Sequence, residues 1–218
     1  ERKFDRLREG PGTKIANKIE SKTNLVLEYD FSNLSEDGKT IYDASGNAYH
    51  GAVTGGEIAE KEKETMLKFD GQTKIQTPLT SLSYPYTVSF DLYLDGEEEN
   101  GKDAALFSGY DGRLQVKGLS DNLGLNRSHF TQSFGYAAKS GKKHRISVVG
   151  TYQTTKLYVD GRFQKILYAK GRDKDNGGEL NNEKWTDKDD NFSATFVFPL
   201  NVIGENFSGY LGNIKAYN

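Results

Sequence analysis

Apolar residues occupy every second position in several stretches of this chain, most clearly at 86–94, YTVSFDLYL. The same period of two runs through 25–31, 145–152 and 156–161. Because successive side chains of a strand point to opposite faces, this pattern predicts half-buried antiparallel strands. Further short strands are expected near 65–69, 73–77, 104–108, 113–117, 122–127, 129–137, 194–199 and 208–217. So many short strands, with no helical period among them, predict an all-β sandwich, jelly roll or barrel.

Two Asp-Gly pairs mark candidate hairpins. In YVDGRFQ (158–164) the pair suits a type I′ turn, whose central residues both need positive φ, so strands 156–159 and 162–168 are expected to pair directly. FDGQTK (69–74) carries the same signature. A content of 13 Tyr, 12 Phe and 24 Gly fits strands joined by tight turns.

The length of 218 residues fits a single sandwich domain with a tail. Residues 1–22 are charged and interrupted by GPG, so they are interpreted as a linker or the end of a preceding domain, and residues 23–218 as the β-sandwich module. Residues 169–192 form a polar loop longer than ordinary connections. Because the chain opens without Met or an apolar leader, we expect an excised piece of a longer polypeptide or a mature chain.

The charge balance argues against two classes of partner. With 29 basic and 31 acidic residues the formal net charge is −2, which gives no field to attract nucleic acid or an anionic membrane. No apolar run approaches the roughly 18 residues that a membrane helix needs. The chain has no cysteine, which leaves the redox compartment open.

No familiar catalytic set is present in the sequence. It has no Gly-x-Ser-x-Gly motif and its three histidines are scattered, which argues against a nucleophilic triad and against zinc. A glycosidase needs two carboxylates about 5–10 Å apart. Asp91 lies within a strand on its polar side, whereas the acidic run 97–99 is expected to be a solvated turn. One carboxylate does not make an acid/base pair.

The stretch DASGN (43–47) has two interpretations. Asp43 and Asn47, with the carbonyls around Gly46, are the oxygen ligands that calcium prefers, and Asp30 is an acidic candidate from elsewhere in the chain. Alternatively, Asp43 and Asn47 form an Asx-type turn and bond only to their own backbone. The residues alone leave both interpretations open.

Several short motifs in a fixed order carry a family resemblance. They are LEYDFSN, DGKTIYDASGNAYHGAV, MLKFDGQTKIQTP, YTVSFDLYL, LFSG, TTKLYVDGR and SGYLGNIKAYN. Together, over about 24–218, they resemble a laminin-G-like, concanavalin A-like β-sandwich of the kind appended to many secreted bacterial glycoside hydrolases. PYTVSFDLYLD and FVFPLNVIG are similar to modules of family 20 enzymes, the β-hexosaminidases and lacto-N-biosidases.

The resemblance implies a two-sheet jelly roll whose terminal strands lie together, commonly with a structural calcium near that junction. It would bring Asp30, the Asp43–Asn47 turn and Asn213 close to one another. Many relatives have Asp at the position of Asn213, and loss of that charge should weaken the site. The Glu-x-Asp-x-x-Glu strand of laminarinase-type hydrolases is absent, which indicates a non-catalytic module. The resemblance also implies that the module is secreted or lies at the surface of a bacterial cell.

Carbohydrate recognition pairs an aromatic face with planar polar groups, and LNRSHFTQSFGY (125–136) holds both. The candidates in this hairpin are Arg127, His129 and Gln132 for polar contacts and Tyr136 as a platform. The alternative is that Phe130 and Phe134 are core residues and the remainder is solvated sheet.

Two further aromatic residues lie in polar surroundings. Trp185, the only tryptophan, is in the loop NNEKWTDKDDN and is expected to fold back over the sandwich, or to meet a glycan or a neighbouring domain. Tyr110 of SGYDGR is a weaker candidate at a hairpin tip.

Three hypotheses result. The first is a carbohydrate-binding, lectin-like accessory module that tethers the catalytic domain of the same polypeptide, a glycosidase, to complex glycans containing hexosamine. The second is a structural domain that binds no glycan and packs on the catalytic domain, stabilising it. The third is an enzyme that uses Asp91 and an unrecognised partner.

Overall fold

The computed structural model of the chain describes residues 24–96, 100–109, 112–116, 123–127, 130–151, 154–168 and 197–218. The regular elements in these residues are all β-strands. They are β1 (Leu25–Leu34), β2 (Thr40–Asp43), β3 (Gly51–Thr54), β4 (Glu57–Lys61), β5 (Glu64–Asp70), β6 (Lys74–Gln76), β7 (Ser81–Leu82), β8 (Tyr86–Leu94), β9 (Ala105–Gly109), β10 (Gly112–Gln115), β11 (Gly124–Arg127), β12 (Phe130–Ser133), β13 (Lys142–Gly150), β14 (Thr154–Val159), β15 (Arg162–Tyr168), β16 (Phe198–Pro199), β17 (Val202–Glu205) and β18 (Ser208–Tyr217).

The strands pair in one long antiparallel path. Its order is β12-β11-β10-β9-β17-β6-β3-β2-β1-β18-β8-β13-β14-β15, and the β4–β5 hairpin joins it because β5 pairs with β18. A separate short ladder joins β7 and β16. The first and last strands of the described chain, β1 and β18, are neighbours. The expected meeting of the terminal strands is therefore found.

Aromatic packing shows that the two halves of this path face each other. Phe90 of β8 and Phe107 of β9 are distant on the path, yet their ring centroids are 5.0 Å apart. Phe107 also lies 5.1 Å from Phe198, and all three rings are fully buried. The strands from β12 to β3 and those from β1 to β15 thus form two layers around one core, with β2 between them. The predicted all-β, two-sheet antiparallel sandwich is confirmed.

The two Asp-Gly pairs have different outcomes. Asp160 and Gly161 have φ values of 50° and 75°, and they join β14 to β15 as a direct hairpin, as predicted. At Asp70-Gly71 the prediction of a hairpin is wrong, because β5 pairs with β4 and β18 whereas β6 pairs with β3 and β17. The Asp70 carboxylate accepts hydrogen bonds from the N–H groups of Gln72 and Thr73 at 3.0 and 2.8 Å. The turn thereby carries the chain from one layer to the other.

The predicted division at residue 22 and the loop 169–192 lie outside the described residues, as do Tyr110, His129 and Trp185. The division into a linker and a module stays a prediction. Among the described residues, no helix is long and apolar enough to cross a membrane.

Candidate functional site

The Asp43 turn is held by hydrogen bonds within the protein. Oδ1 of Asp43 accepts from the N–H groups of Glu28 and Ser45, both at 2.9 Å. Oδ2 accepts from the Ser45 hydroxyl at 2.7 Å and from the Tyr49 N–H at 3.0 Å. The side-chain amide of Asn47 donates to the carbonyls of Leu25 and Val26. The carboxylate therefore ties the turn to β1.

These hydrogen bonds favour the charged form of Asp43 and occupy the carboxylate oxygens that a cation would need. Burial disfavours the charged carboxylate, but the hydrogen bonds from Glu28, Ser45 and Tyr49 outweigh burial and hold the pKa of Asp43 below its usual value. Calcium takes six to eight oxygen ligands, whereas here both carboxylate oxygens already accept two hydrogen bonds each. As arranged, these residues do not fit a calcium site.

The other two predicted ligands have separate partners. Asp30 accepts a hydrogen bond from the N–H of Ser32 at 3.0 Å. Asn213 lies in β18, and its amide donates to Glu64 at 3.0 Å and to Asp91 at 2.8 Å. Within the part of the chain that the structure describes, no three His, Asp or Glu side chains are grouped to hold a metal ion. The calcium stays a prediction without a converging set of ligands.

The predicted sugar-binding hairpin is described only in part. β11 and β12 pair with Leu125 opposite Gln132, and Gln132 is partly buried. The Tyr136 ring meets the His144 ring edge-on, with the centroids 6.2 Å apart. Burial, and then the negative charge of Asp160, raise the pKa of Tyr136. For Arg127 only the backbone is described.

A second polar surface is formed by the side chains of β8, β13, β14 and β18 that point away from the core; we call it the outer face. Its first row crosses the strands at Tyr217, Thr87, Val149 and Lys156, which are cross-strand neighbours. All four side chains are partly buried rather than fully exposed. Side chains of neighbouring strands partly cover one another in this row.

The second row of the outer face is rich in hydroxyl groups. It runs from Lys215 through Ser89 and Ser147 to Tyr158. The Lys215 ammonium lies 2.7 Å from the Glu28 carboxylate, and this hydrogen bond raises the pKa of Lys215. The hydroxyl groups can both donate and accept hydrogen bonds.

The third row contains an ion pair whose carboxylate is buried. Asp91 is 1% exposed, and its Oδ1 lies 2.8 Å from Nε of Arg145. Asn213 has a φ of 44° at a bulge in β18, which directs its amide onto Oδ2 of Asp91. Arg145 also donates to the Asn213 carbonyl at 3.3 Å.

Glu64 completes this cluster from the tip of the β4–β5 hairpin. Its carboxylate accepts from Lys143 at 3.0 Å and from Asn213 at 3.0 Å, and these hydrogen bonds lower the pKa of Glu64. A single amide thus bridges two carboxylates, Glu64 and Asp91. Glycosidases need a carboxylic acid with a raised pKa next to an accessible carboxylate. A lowered pKa at Glu64 and the burial of Asp91 do not fit that chemistry.

The fourth row is aromatic. Tyr93 and Tyr210 meet edge-on with their ring centroids 5.7 Å apart. The Lys61 ammonium of the β4–β5 hairpin lies 4.9 Å from the Tyr93 centroid and 4.3 Å from that of Tyr210. This is a cation–π geometry. The three side chains form one end of the outer face.

A pocket of about 460 Å³ opens at the opposite end of the outer face. Tyr217, Thr87 and Val149 of the first row line it, together with Pro85, Tyr86, Gly150, Thr151, Asn24 and Asn218. The size is that of small-molecule sites, and aromatic, hydroxyl and amide groups converge there. Sequence reasoning missed this pocket, although it placed Asp91 on the polar side of β8, because alternation does not show which strands become neighbours.

Solved structures with the same fold include two carbohydrate-active proteins. One is domain 4 of AbnA, a GH43 extracellular arabinanase from Geobacillus stearothermophilus, in complex with arabinotriose: it is 17% identical, with a TM-score of 0.59, covering 89% of this chain and 92% of that chain. Another is the Trypanosoma rangeli sialidase in complex with sialic acid, at 14% identity and a TM-score of 0.51. The match covers 89% of this chain and 31% of the sialidase chain.

These similarities establish the fold as a β-sandwich. No protein-family model matches the sequence, and no curated protein sequence matches it. The resemblance to laminin-G-like modules of family 20 enzymes therefore stays a prediction.

Proposed function

We propose that this chain is a non-catalytic carbohydrate-binding module of a secreted bacterial glycoside hydrolase, and that the outer face holds the sugar. The observation that supports it best is the pocket beside Tyr217, which an aromatic ring, hydroxyls and amides line. The arabinanase domain of the same fold was solved with a bound oligosaccharide.

The finer parts of the proposal come from the sequence. Complex glycans containing hexosamine are the proposed ligand class, because the motif order resembles modules of β-hexosaminidases and lacto-N-biosidases. The catalytic domain would belong to the same polypeptide, and the module would act by holding it at its substrate. The lowered pKa of Glu64 and the burial of Asp91 support a binding role rather than an acid/base role.

A glycan array with the wild-type chain and two tyrosine variants tests this proposal. We expect binding to a defined set of glycans that falls about fivefold in Tyr217→Ala, because loss of a stacking ring costs on the order of 1 kcal/mol. Tyr42→Ala is the matched control, since Tyr42 is 39% exposed on β2, outside the pocket. A silent array would contradict the proposal and favour the domain-packing hypothesis.

A further inference from the structure

Three cations of the outer face are matched by carboxylates of the protein. Three ion pairs cross it: Arg145–Asp91 at 2.8 Å, Lys143–Glu64 at 3.0 Å and Lys215–Glu28 at 2.7 Å. Each of these three cations already faces a carboxylate, so an anion that approaches one of them also meets a negative charge. These groups offer hydrogen bonds to a ligand but little net attraction for an acidic one.

The two remaining lysines of this surface add positive charge but do not form a strong site for an anion. The Lys61 ammonium lies on the rings of Tyr93 and Tyr210. Lys156 has no carboxylate partner among the described residues. It stands beside the apolar Val149 in the first row, where it is the one cation. A lone, partly exposed lysine gives a weak and salt-sensitive attraction.

The strip between the pocket and the ion pairs carries uncharged hydrogen-bonding groups. Thr87, Ser89 and Ser147 are cross-strand or alternate neighbours on the outer face. The distance along β8 from Thr87 to Asp91, where the ion pairs begin, is about 13 Å at roughly 3.3 Å per residue. The strip is long enough for two or three linked rings, and its hydroxyl groups can exchange hydrogen bonds with the hydroxyl groups of a sugar.

We infer that the ligand is an uncharged oligosaccharide that lies along β8, with one ring in the pocket beside Tyr217 and the next rings over Ser89 and Ser147. This inference rests on the proposed function and adds the chemical class of the ligand and its direction. The paired charges act as fixed donors and acceptors for sugar hydroxyls. Acidic glycans are disfavoured because they find no open cationic pocket.

Calorimetric titration of the whole chain with three trimers tests the inference. The probes are triacetylchitotriose and arabinotriose, which are uncharged, and trigalacturonic acid, at about 50 mM and about 500 mM salt. We expect an uncharged trimer to bind at least about tenfold more tightly than trigalacturonic acid and than its own monosaccharide, with less than a twofold change between the two salt concentrations. Tighter binding of trigalacturonic acid, or an affinity that falls with salt, would overturn the inference.

The outcomes of this titration distinguish a failure of the inference from a failure of the proposed function. If none of the trimers binds at millimolar concentration, the proposed function fails. If trigalacturonic acid alone binds, the proposed function stands and the uncharged ligand is wrong.

A charge variant adds an independent readout. Glu64→Gln removes the carboxylate that faces Lys143, so we expect it to raise the affinity for trigalacturonic acid several-fold. Glu57→Gln, an exposed position on the same hairpin, is the matched control and should give no gain. An unchanged affinity in Glu64→Gln would show that charge matching does not exclude acidic glycans.

Discussion

Replacing Asp43 with Asn tests how the turn after β2 is held. In the wild type the buried carboxylate accepts hydrogen bonds from three N–H groups and one hydroxyl. The Asn side chain has the same shape as Asp, but only its oxygen atom can accept hydrogen bonds. Its better orientation leaves the oxygen facing the N–H groups of Glu28 and Ser45. The NH₂ group then donates to the Ser45 hydroxyl oxygen, and the Tyr49 N–H loses its acceptor.

The size of the loss follows from these contacts. A hydrogen bond to a charged group contributes about 1.5–3 kcal/mol, and a buried donor left without a partner costs about 1–3 kcal/mol. We expect the free energy of unfolding to fall by about 2–3 kcal/mol in Asp43→Asn. For a domain of this size, about 2–4 °C of melting temperature corresponds to each kcal/mol. The expected decrease in Tm is therefore roughly 5–10 °C at pH 7.

The pH dependence gives a second check. Because the pKa of Asp43 is lowered in the folded state, its charged carboxylate stabilises the protein above the unfolded pKa of about 4. That contribution is lost as the pH falls through the lower, folded pKa. The difference in Tm between wild type and Asp43→Asn should thus be complete at neutral pH and shrink below about pH 4.

Thermal unfolding followed by circular dichroism measures both effects. Asp30→Asn is the matched control, because Asp30 accepts a single hydrogen bond, from Ser32, near the surface. We expect its Tm to stay within about 2 °C of the wild type, as for most surface substitutions. Equal Tm values for Asp43→Asn and the wild type, or equal losses in both variants, would refute the reasoning.

Other parts of the structure make separate predictions. Gly150→Ala should lower the free energy of unfolding by about 1–3 kcal/mol in urea titration, because its Cβ would lie 2.2 Å from the Tyr86 ring. Arg145→Met should cost about 3 kcal/mol, since Asp91 is left buried without its cation, and Asp91→Asn in the same chain should recover most of that loss. A chelator should leave the Tm unchanged if hydrogen bonds alone hold Asp43; a decrease that is absent in Asp43→Asn would instead support the predicted calcium.

The strand pattern could be predicted where a strand alternates between core and solvent. β8 has the bounds that the alternation indicated, 86–94, and β18 has those expected for the last strand, 208–217. β4, EIAEK, was missed because it is a largely exposed strand without an apolar face. The turn at Asp70 was misread because an Asp-Gly pair fixes the local backbone but not the partner of the next strand.

The candidate site was less predictable than the fold. Its ion-paired cluster joins residues far apart in sequence: Arg145 and Asp91 are separated by 54 positions, and Asn213 and Glu64 by 149. Local alternation indicated the polar side of β8 but not the strands beside it. The pocket likewise needs β8, β13 and β18 in one sheet, a pairing that no short motif encodes.

Chemical-shift mapping of the isotope-labelled chain during titration with triacetylchitotriose and arabinotriose tests the central claim most directly. The account predicts that the backbone amides that shift lie in β8 from 87 to 93, in β13 from 143 to 149 and in β18 from 213 to 217. Shifts confined to the 125–136 hairpin or to the segment around Trp185 would show that the sugar binds elsewhere and would contradict the assignment of the outer face. The absence of any shift at millimolar sugar would contradict carbohydrate binding itself.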